Sequence, residues 1–425
     1  MAIDQLDVYL NGRYAGAVRQ GPGDRLSFVY DDDYRSDPRA TPLSCALPLT
    51  AATHQDARIR PYLWGLLPDN ERVLDRWARQ FQVSARRPLE LLLAVGRDLP
   101  GAVEMLSSGQ RPVIDPGDVA WLSEDDVAAE LRRVREDEAA WLPAQGRGRW
   151  SLGGAHAKVA LIFRDGRWGR PGGGTPTNRI LKPAIAELAD HDVNEHLCLT
   201  AARLCGLPAV PSSIASFGQE RAMVVTRFDR RIRSDGTVER IHQEDMCQAL
   251  AVSPSNKYES DQGPTAARIA RLLAEEIGAP EGRKAVRSFF DALVFNWVIA
   301  GPDAHAKNFS LLHLGRSVRL APLYDIGSAL PYPDYYGPKV KLAMRVGGHY
   351  RVGAISAKTW AKEAQALGLH VDEAVESARL LTQNVPDAFC EARKKSGLKD
   401  EATGFADRLV DAVARNAAFC LTRLG

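Results

Sequence analysis

Asp303, Asn308 and Asp325 are the residues whose types and spacing best fit a reaction. They sit in Asp303-Ala-His305-Ala-Lys307-Asn308 and Tyr324-Asp325-Ile326-Gly327. Upstream, the apolar stretch Phe289–Ala300 predicts a buried helix stopped by Gly301-Pro302. Between the two motifs, Phe309–Leu312 and Val318–Leu323 read as strands flanking a turn at Gly315-Arg316. If these strands pair as an antiparallel hairpin, the start of one lies beside the end of the other. Asn308 and Asp325 then converge, with Asp303 a short loop away. Such a set of carboxylates and an amide oxygen suits Mg²⁺, a hard cation that completes its shell with water and phosphate. A remaining carboxylate can orient a hydroxyl and accept its proton. The plain alternative is a polar loop and turn whose Asx hydrogen bonds are satisfied locally.

Two upstream segments bear on that choice. Ser151-Leu-Gly-Gly-Ala-His-Ala-Lys158 is a Gly-rich turn ending in Lys, a pattern that can cradle phosphate with backbone N–H groups. It is not a Walker A loop, because Val159–Phe163 is β-type where that loop must open a helix. Any nucleotide would therefore sit under a strand–turn–strand flap, against the alternative of a plain hairpin. Lys182, in Arg179-Ile-Leu-Lys182-Pro183, is a lone cation in an apolar strand that needs an anionic partner if buried. Phosphate would serve, as would an ion pair with Glu187 or Glu195, or an outward-facing ammonium. Protein kinases place a D-x4-N loop before D-F-G, and here D-A-H-A-K-N precedes D-I-G, downstream of the flap and the strand Lys. No His-Arg precedes Asp303, His305 stands where eukaryotic kinases carry Lys, and Ile326 replaces Phe. The run Arg227, Arg230, Arg231 and Arg233 could touch phosphate or nucleic acid, but reads better as a solvated hairpin face.

The surrounding elements follow from periodicity. Leu6, Val8 and Leu10 alternate before Asn11-Gly12, a hairpin signal, and Leu26–Tyr30 is a further strand. Residues 63–82 read as helical, with Val73, Trp77 and Phe81 at spacings of four. The segment 107–118 is Ser/Pro/Gly-rich and reads as a linker. Ser123-x-x-Asp126 resembles a capping box, and Val127, Leu131 and Val134 form the stripe of a helix ended by Pro143. Block 149–228 is strand-like, with loops at 165–166 and 169–177 and a helix at 191–205. From about 240 onward the pattern is helical, interrupted by strands near 309–323. The expected organisation is 1–108, a linker and helix at 109–148, a β-rich unit at 149–228 and a helical unit at 229–425. That is an α+β architecture, read as two lobes with a cleft between them.

Composition narrows the class further. The chain has 425 residues, 45% hydrophobic and 25% charged, with a formal charge of +2. This excludes disorder, and nothing in the overall charge announces a nucleic-acid binder. No apolar run reaches the roughly 18–20 residues of a membrane span, and the start is neither a signal nor a transit peptide. The chain holds 12 Lys and 43 Arg, which draws attention to Lys158, Lys182, Lys257 and Lys307 as places that require a compact ammonium. Cys45, Cys198, Cys205, Cys247, Cys390 and Cys420 are scattered, without metal spacing, and read as buried free thiols of a cytoplasmic protein.

With these stretches in view, the chain resembles the HipA family of bacterial serine/threonine kinase toxins. The matching residues are LLPD at 66–69, VGRDLPGAV at 95–103, SLGGAHAK at 151–158 and TRFDR at 226–230. QEDMCQAL at 243–250, KYESDQGP at 257–264, PDAHAKNFS at 302–310 and APLYDI at 321–326 complete the set. The resemblance covers most of 60–330 and implies a protein-kinase-like two-lobe fold with an additional N-terminal α/β subdomain. It also implies ATP and Mg²⁺ as cofactors and phosphorylation of serine on an aminoacyl-tRNA synthetase, favouring dormancy. Asp303 is similar to the family's catalytic base, and Asn308 and Asp325 to its magnesium ligands. Lys182 resembles the phosphate-binding Lys, Thr226, Arg227 and Phe228 the adenine hinge, and Gly153, Gly154, Ala155, His156, Ala157 and Lys158 the flap over ATP. His305, Ala306, Lys307 and Tyr324 belong to the same implied ATP site. Ser151 matches the autophosphorylated serine, whose phosphate would add about −1.5 to −2 charge beside the flap and leave ATP uncovered. His156 stands where many members carry Gln. The implied partner is a HipB-like antitoxin, a helix-turn-helix dimer. The family's operator-contacting basic residues fall near 362–370, where this chain has only Lys362 with Gln365, Gly368 and His370. Operator DNA is thus expected to be held mainly through the antitoxin. The alternative reading is a catalytically quiet corepressor that bridges antitoxin dimers on an operator.

Overall fold

The computed structural model describes all residues except 1–3, 114–117, 143–148, 173, 185–187, 337–338 and 399–400. The chain folds as two compact units. The first comprises 1–183, 216–255 and 311–318, and the second 184–215, 256–310 and 319–425.

The first unit opens with strands β1 (Gln5–Leu10), β2 (Arg13–Gln20), β3 (Leu26–Tyr30), β4 (Thr53–Gln55) and β5 (Val103–Ser107). They form a sheet in the order β4-β3-β2-β1-β5. Asn11 and Gly12 both take positive φ, 52° and 73°, which gives the tight turn the twist of its flanking strands. Leu6, Val8 and Leu10 are buried as their alternation requires, together with Phe28, Tyr62, Leu91 and Trp77 in one core. The expected continuous helix over 63–82 is instead two helices, Asp56–Gly65 and Glu71–Phe81. Leu66 and Leu67 extend the apolar pattern but lie in the connection, and Asn70 restarts the helix by accepting the Arg72 N–H.

The next sheet of this unit contains β6 (Val119–Leu122), β7 (Val159–Arg164), β8 (Arg167–Pro171) and β9 (Arg179–Pro183). With the strand Glu220–Thr226 its order is Glu220–Thr226, β9, β7, β8, β6. β8 runs to Pro171, so the loop expected from 169 begins later: pairing with β6 carries the glycine at 169 into the ladder, opposite Trp121. Ser123 and Asp126 form the full capping box of helix Glu124–Glu136, with Val127, Leu131 and Val134 buried.

In the second unit, helix Glu281–Val298 is apolar on most of its surface, burying Phe289, Phe290, Phe295 and Trp297. It starts earlier than the expected Phe289 and stops two residues before Ala300. Phe295 stacks on Phe389 of the long helix Val371–Lys395 at 6.4 Å. Helix Val371–Lys395 also packs on Glu401–Leu424 and on His191–Leu204. Asn416 donates to the Val298 carbonyl at 2.7 Å and so closes the C-terminal end of the buried helix. Residues 341–351, expected within a helical region, form the antiparallel pair Lys341–Val346 and His349–Arg351. Of the cysteines, Cys198, Cys247 and Cys420 are buried as expected, Cys45 and Cys205 are half-buried, and Cys390 is exposed because it lies on the outer face of its helix.

Candidate functional site

In the second unit the chain leaves helix Glu281–Val298 abruptly. Ala300 adopts φ 50°, and the Gly301 N–H returns to the Asn296 carbonyl at 2.7 Å. The Asp303 carbonyl then accepts the His305 N–H at 2.8 Å and the Asn308 Nδ2–H at 2.7 Å. The main chain at Asp303 is thereby fixed by the loop it begins. Its carboxylate stays 43% exposed, open enough to meet a substrate. Oδ1 accepts a short hydrogen bond from the Tyr258 hydroxyl, and His305 Nε2 lies 3.6 Å from the same oxygen.

Tyr324, the neighbour of Asp325, ties its segment to the loop that begins at Asp303. Its hydroxyl donates to the Lys307 carbonyl at 2.6 Å and accepts from Ser310 Oγ at 2.6 Å. The strands Ser310–Leu314 and Ser317–Leu320 supply the intervening hairpin, and the Ala321 N–H bonds the Ser310 carbonyl at 2.8 Å. Asp325 itself takes a left-handed φ of 56°. These residues fit magnesium by donor chemistry. The Asn308 nitrogen is spent on Asp303, which fixes the amide with its oxygen as the remaining ligand atom, and Asp325 adds a hard carboxylate oxygen.

The flap residues belong to the first unit. Ser151 is fully buried, its N–H on the Asp98 carbonyl at 2.9 Å and its hydroxyl on the Leu66 carbonyl at 2.7 Å. The Gly154 carbonyl accepts the Asp69 N–H at 3.0 Å, and the Ala155 carbonyl accepts Asn70 Nδ2–H at 3.2 Å. The connection that breaks the 63–82 helix thus holds the Gly-rich segment expected to form the flap. Lys158 turns back into the loop: Nζ donates to the Gly153 carbonyl at 2.7 Å and lies 4.7 Å from the centre of the Trp141 ring. Glycine is favoured at 154, where φ is 94°, and a Cβ there would stand 2.8 Å from that Nζ and displace it. Lys182 lies on β9 opposite Met223, half-buried, and Glu187, one of its expected partners, lies outside the described residues.

The basic run divides into two kinds of residue, correcting the expectation of a solvated face. Arg231 and Arg233 are exposed and pair with Glu239. Arg227 and Arg230 are buried, locked to Asp98 and Asp229. Arg230 reaches Asp98 at 2.9 Å and Asp229 at 2.8 Å, while Arg227 reaches Asp229 at 2.7 Å. Burial pushes both carboxyls up, but the two guanidiniums hold Asp98 and Asp229 below the usual carboxylate range. Burial, reinforced by Arg227, brings Arg230 down to about 10. The Arg227 side chain is consumed here, so only the main chain of that residue remains available to a ligand. This network has a signal in the sequence that was not used: VGRDLPGAV and TRFDR set two acids and three arginines among apolar residues, a pattern that demands mutual pairing on burial.

Residues 149–158 form no strand, so the expected strand–turn–strand is a Gly-rich loop that runs into β7. An α+β chain with a D-x4-N loop, a D-I-G segment and such a Gly-rich loop before a strand belongs to the kinase-like folds. More particularly, it belongs to the HipA family: residues 6–106 match the HipA N-terminal domain and residues 150–389 the HipA-like C-terminal domain. The chain is 33% identical to Y4mE of Sinorhizobium fredii, over 96% of this chain and 98% of that one. It is 28% identical to the serine/threonine-protein kinase toxin HipA of Shewanella oneidensis, over 91% of this chain and 88% of that protein. A solved structure of HipA from Shewanella oneidensis, in complex with HipB and operator DNA, superposes with a TM-score of 0.83 at 24% identity, covering 99% of this chain and 96% of that one. No described helix is long and apolar enough to cross a membrane.

Proposed function

We propose that this protein is an ATP-dependent serine/threonine-protein kinase and the toxin of a toxin–antitoxin pair. The observation that carries the reading is the Asp303–Asn308 loop. The asparagine amide fixes the backbone of the aspartate while leaving the carboxylate accessible.

In this reaction the substrate serine oxygen attacks the γ-phosphorus of ATP. The bond from that phosphorus to the β–γ bridging oxygen breaks, and ADP leaves. Asp303 orients the serine hydroxyl and takes its proton. Lys182 offsets negative charge on the phosphates, and the backbone of 153–158 covers them. The main chain of Thr226–Phe228 holds the adenine, and His305, Ala306, Lys307 and Tyr324 complete the nucleotide's surroundings. Asn308 and Asp325 would hold Mg²⁺, which when bound supplies positive charge to the phosphate oxygens.

Ser151 serves as the inactivating autophosphorylation site. Its hydroxyl is buried against the Leu66 carbonyl, so a phosphate carrying about −1.5 to −2 charge cannot occupy the same place. The flap has to leave, and ATP loses its cover. The partner is a HipB-like antitoxin dimer that carries operator DNA and neutralises the toxin. The substrate is an aminoacyl-tRNA synthetase, and the compartment is the cytoplasm. Incubation with γ-phosphate-labelled ATP and purified host synthetases, read by phosphoserine mapping, tests the substrate class. Label on a synthetase serine that disappears with Asp303→Asn supports it, and unlabelled synthetases beside a self-labelled toxin contradict it.

A further inference from the structure

The segment 257–259 grips the Asp303 loop from the outside, within the same unit. The Tyr258 hydroxyl donates to Asp303 Oδ1. Its ring packs edge-on against His305 at 4.8 Å and 85°. One residue earlier, the Lys257 carbonyl accepts the Ala306 N–H at 3.2 Å. Three consecutive features of one strip therefore meet the side chain, the ring and the backbone of the loop.

Tyr258 is itself anchored. Its carbonyl accepts the N–H groups of Asp261 and Gly263, both at 3.0 Å. The chain closes so tightly that a Cβ at Gly263 would lie 2.2 Å from the Asn256 carbonyl. The next residue, Glu259, is buried and bidentate toward Arg345: Oε2 accepts the backbone N–H and Oε1 the Nε–H, each at 2.7 Å. Arg345 lies in the strand Lys341–Val346, whose following turn donates the Gly347 N–H to Glu363 at 2.7 Å. The strip is thus pinned from behind by the 341–351 hairpin.

From this geometry we infer that Tyr258 is a positioning residue for Asp303, kept in place by the Glu259–Arg345 pair. It rests on the reading of Asp303 as the base. By occupying Oδ1, the Tyr258 hydroxyl stops the carboxylate from rotating and leaves Oδ2, which has no hydrogen-bond partner among the described residues, for the substrate hydroxyl. The proton moves to an oxygen already aimed, so less of the reaction barrier goes to ordering the base.

The experiment uses the full chain, dephosphorylated, with Mg-ATP. Phosphate incorporation into the chain itself is followed by intact mass against time at a series of ATP concentrations. Tyr258→Phe keeps the ring on His305 and removes only the hydroxyl. It is expected to lower the limiting rate about tenfold with half-saturating ATP and Tm unchanged. Glu259→Gln is expected to lower the rate less, and the double variant no further than Tyr258→Phe alone, because the pair acts through the tyrosine. A limiting rate unchanged in Tyr258→Phe, a loss matched by a rise in half-saturating ATP, or additive losses in the double variant overturn the inference while the kinase reading stands. A wild-type chain that incorporates no phosphate overturns both.

Discussion

The Ser151 hydroxyl donates a 2.7 Å hydrogen bond to the Leu66 carbonyl, with the serine wholly buried. Leu66 belongs to the connection that separates two helices and whose next residues, Asp69 and Asn70, hold Gly154 and Ala155. The placement of the Gly-rich segment 151–155 and the inaccessibility of the serine are therefore one arrangement. Replacing Ser151 by Asp puts a charge against the Leu66 carbonyl, and amide hydrogen exchange over 151–158 should speed up markedly while the β1–β5 sheet stays protected. Ser151→Ala should leave the flap protected. Equal exchange in both variants would separate the serine from the flap.

Gly154 offers a finer cut through the same loop. Gly154→Ala strains a positive φ and displaces the Lys158 ammonium. The expected result is weaker ATP binding by calorimetry, with Tm altered by only a degree or two at most, since the loop adds little to the core.

The Asp98–Arg227–Asp229–Arg230 network sets a contrast in stability. Arg230→Met leaves buried carboxylates short of a cation and should cost about 3–5 kcal/mol. Arg231→Met, one residue on, breaks only an exposed pair with Glu239 and should cost about 0–1 kcal/mol. Urea unfolding of the two variants measures the difference. Similar losses would show that the burial difference does not govern the pairs' contribution. The same network stabilises against acid: Asp98 and Asp229 titrate lower when folded, so their contribution is complete above the unfolded value of about 4 and is lost as pH falls below it.

His242 acts at a different pH. It is buried, its Nε2 faces the Leu43 carbonyl at 3.0 Å, and its ring lies 5.2 Å from that of His313. Burial, with His313 adding to it, brings its pKa down to about 4. The folded chain thus binds this proton less tightly than the unfolded one. The stabilisation is complete above about 6.5 and is lost as pH falls toward about 4, a change of about 3 kcal/mol. His242→Gln should flatten the fall of Tm across that window, and an unchanged slope would contradict the assignment.

What could be read in the sequence was local. The Asn11-Gly12 turn, the Ser123–Asp126 box and the spacing from Asp303 to Asn308 each lie within one turn or loop, so residue type and order settle them. The break at 66–70 was hidden because Leu66 and Leu67 continue the apolar pattern and are buried in the same core as the two helices they join. Arg227 and Arg230 resemble exposed arginines until Asp98, some 130 residues away, is brought beside them. Tyr258 likewise has no periodic signal; it matters only through a contact with a loop 45 residues downstream. The strands at 341–351 were missed because the first buries Leu342, Ala343 and Met344 in succession and so shows no period of two, and the second, after the Gly347-Gly348 turn, is only three residues long.

The most direct test of the central claim is the intact mass of the purified chain before and after Mg-ATP, wild type beside Asp303→Asn, with tandem mapping of any modified residue and phosphatase treatment of the starting material. The account predicts a gain of one phosphate in the wild type, mapped to Ser151, and none in the variant. Dephosphorylated wild-type chain that gains no phosphate, or a variant that gains it as fast as the wild type, would contradict it.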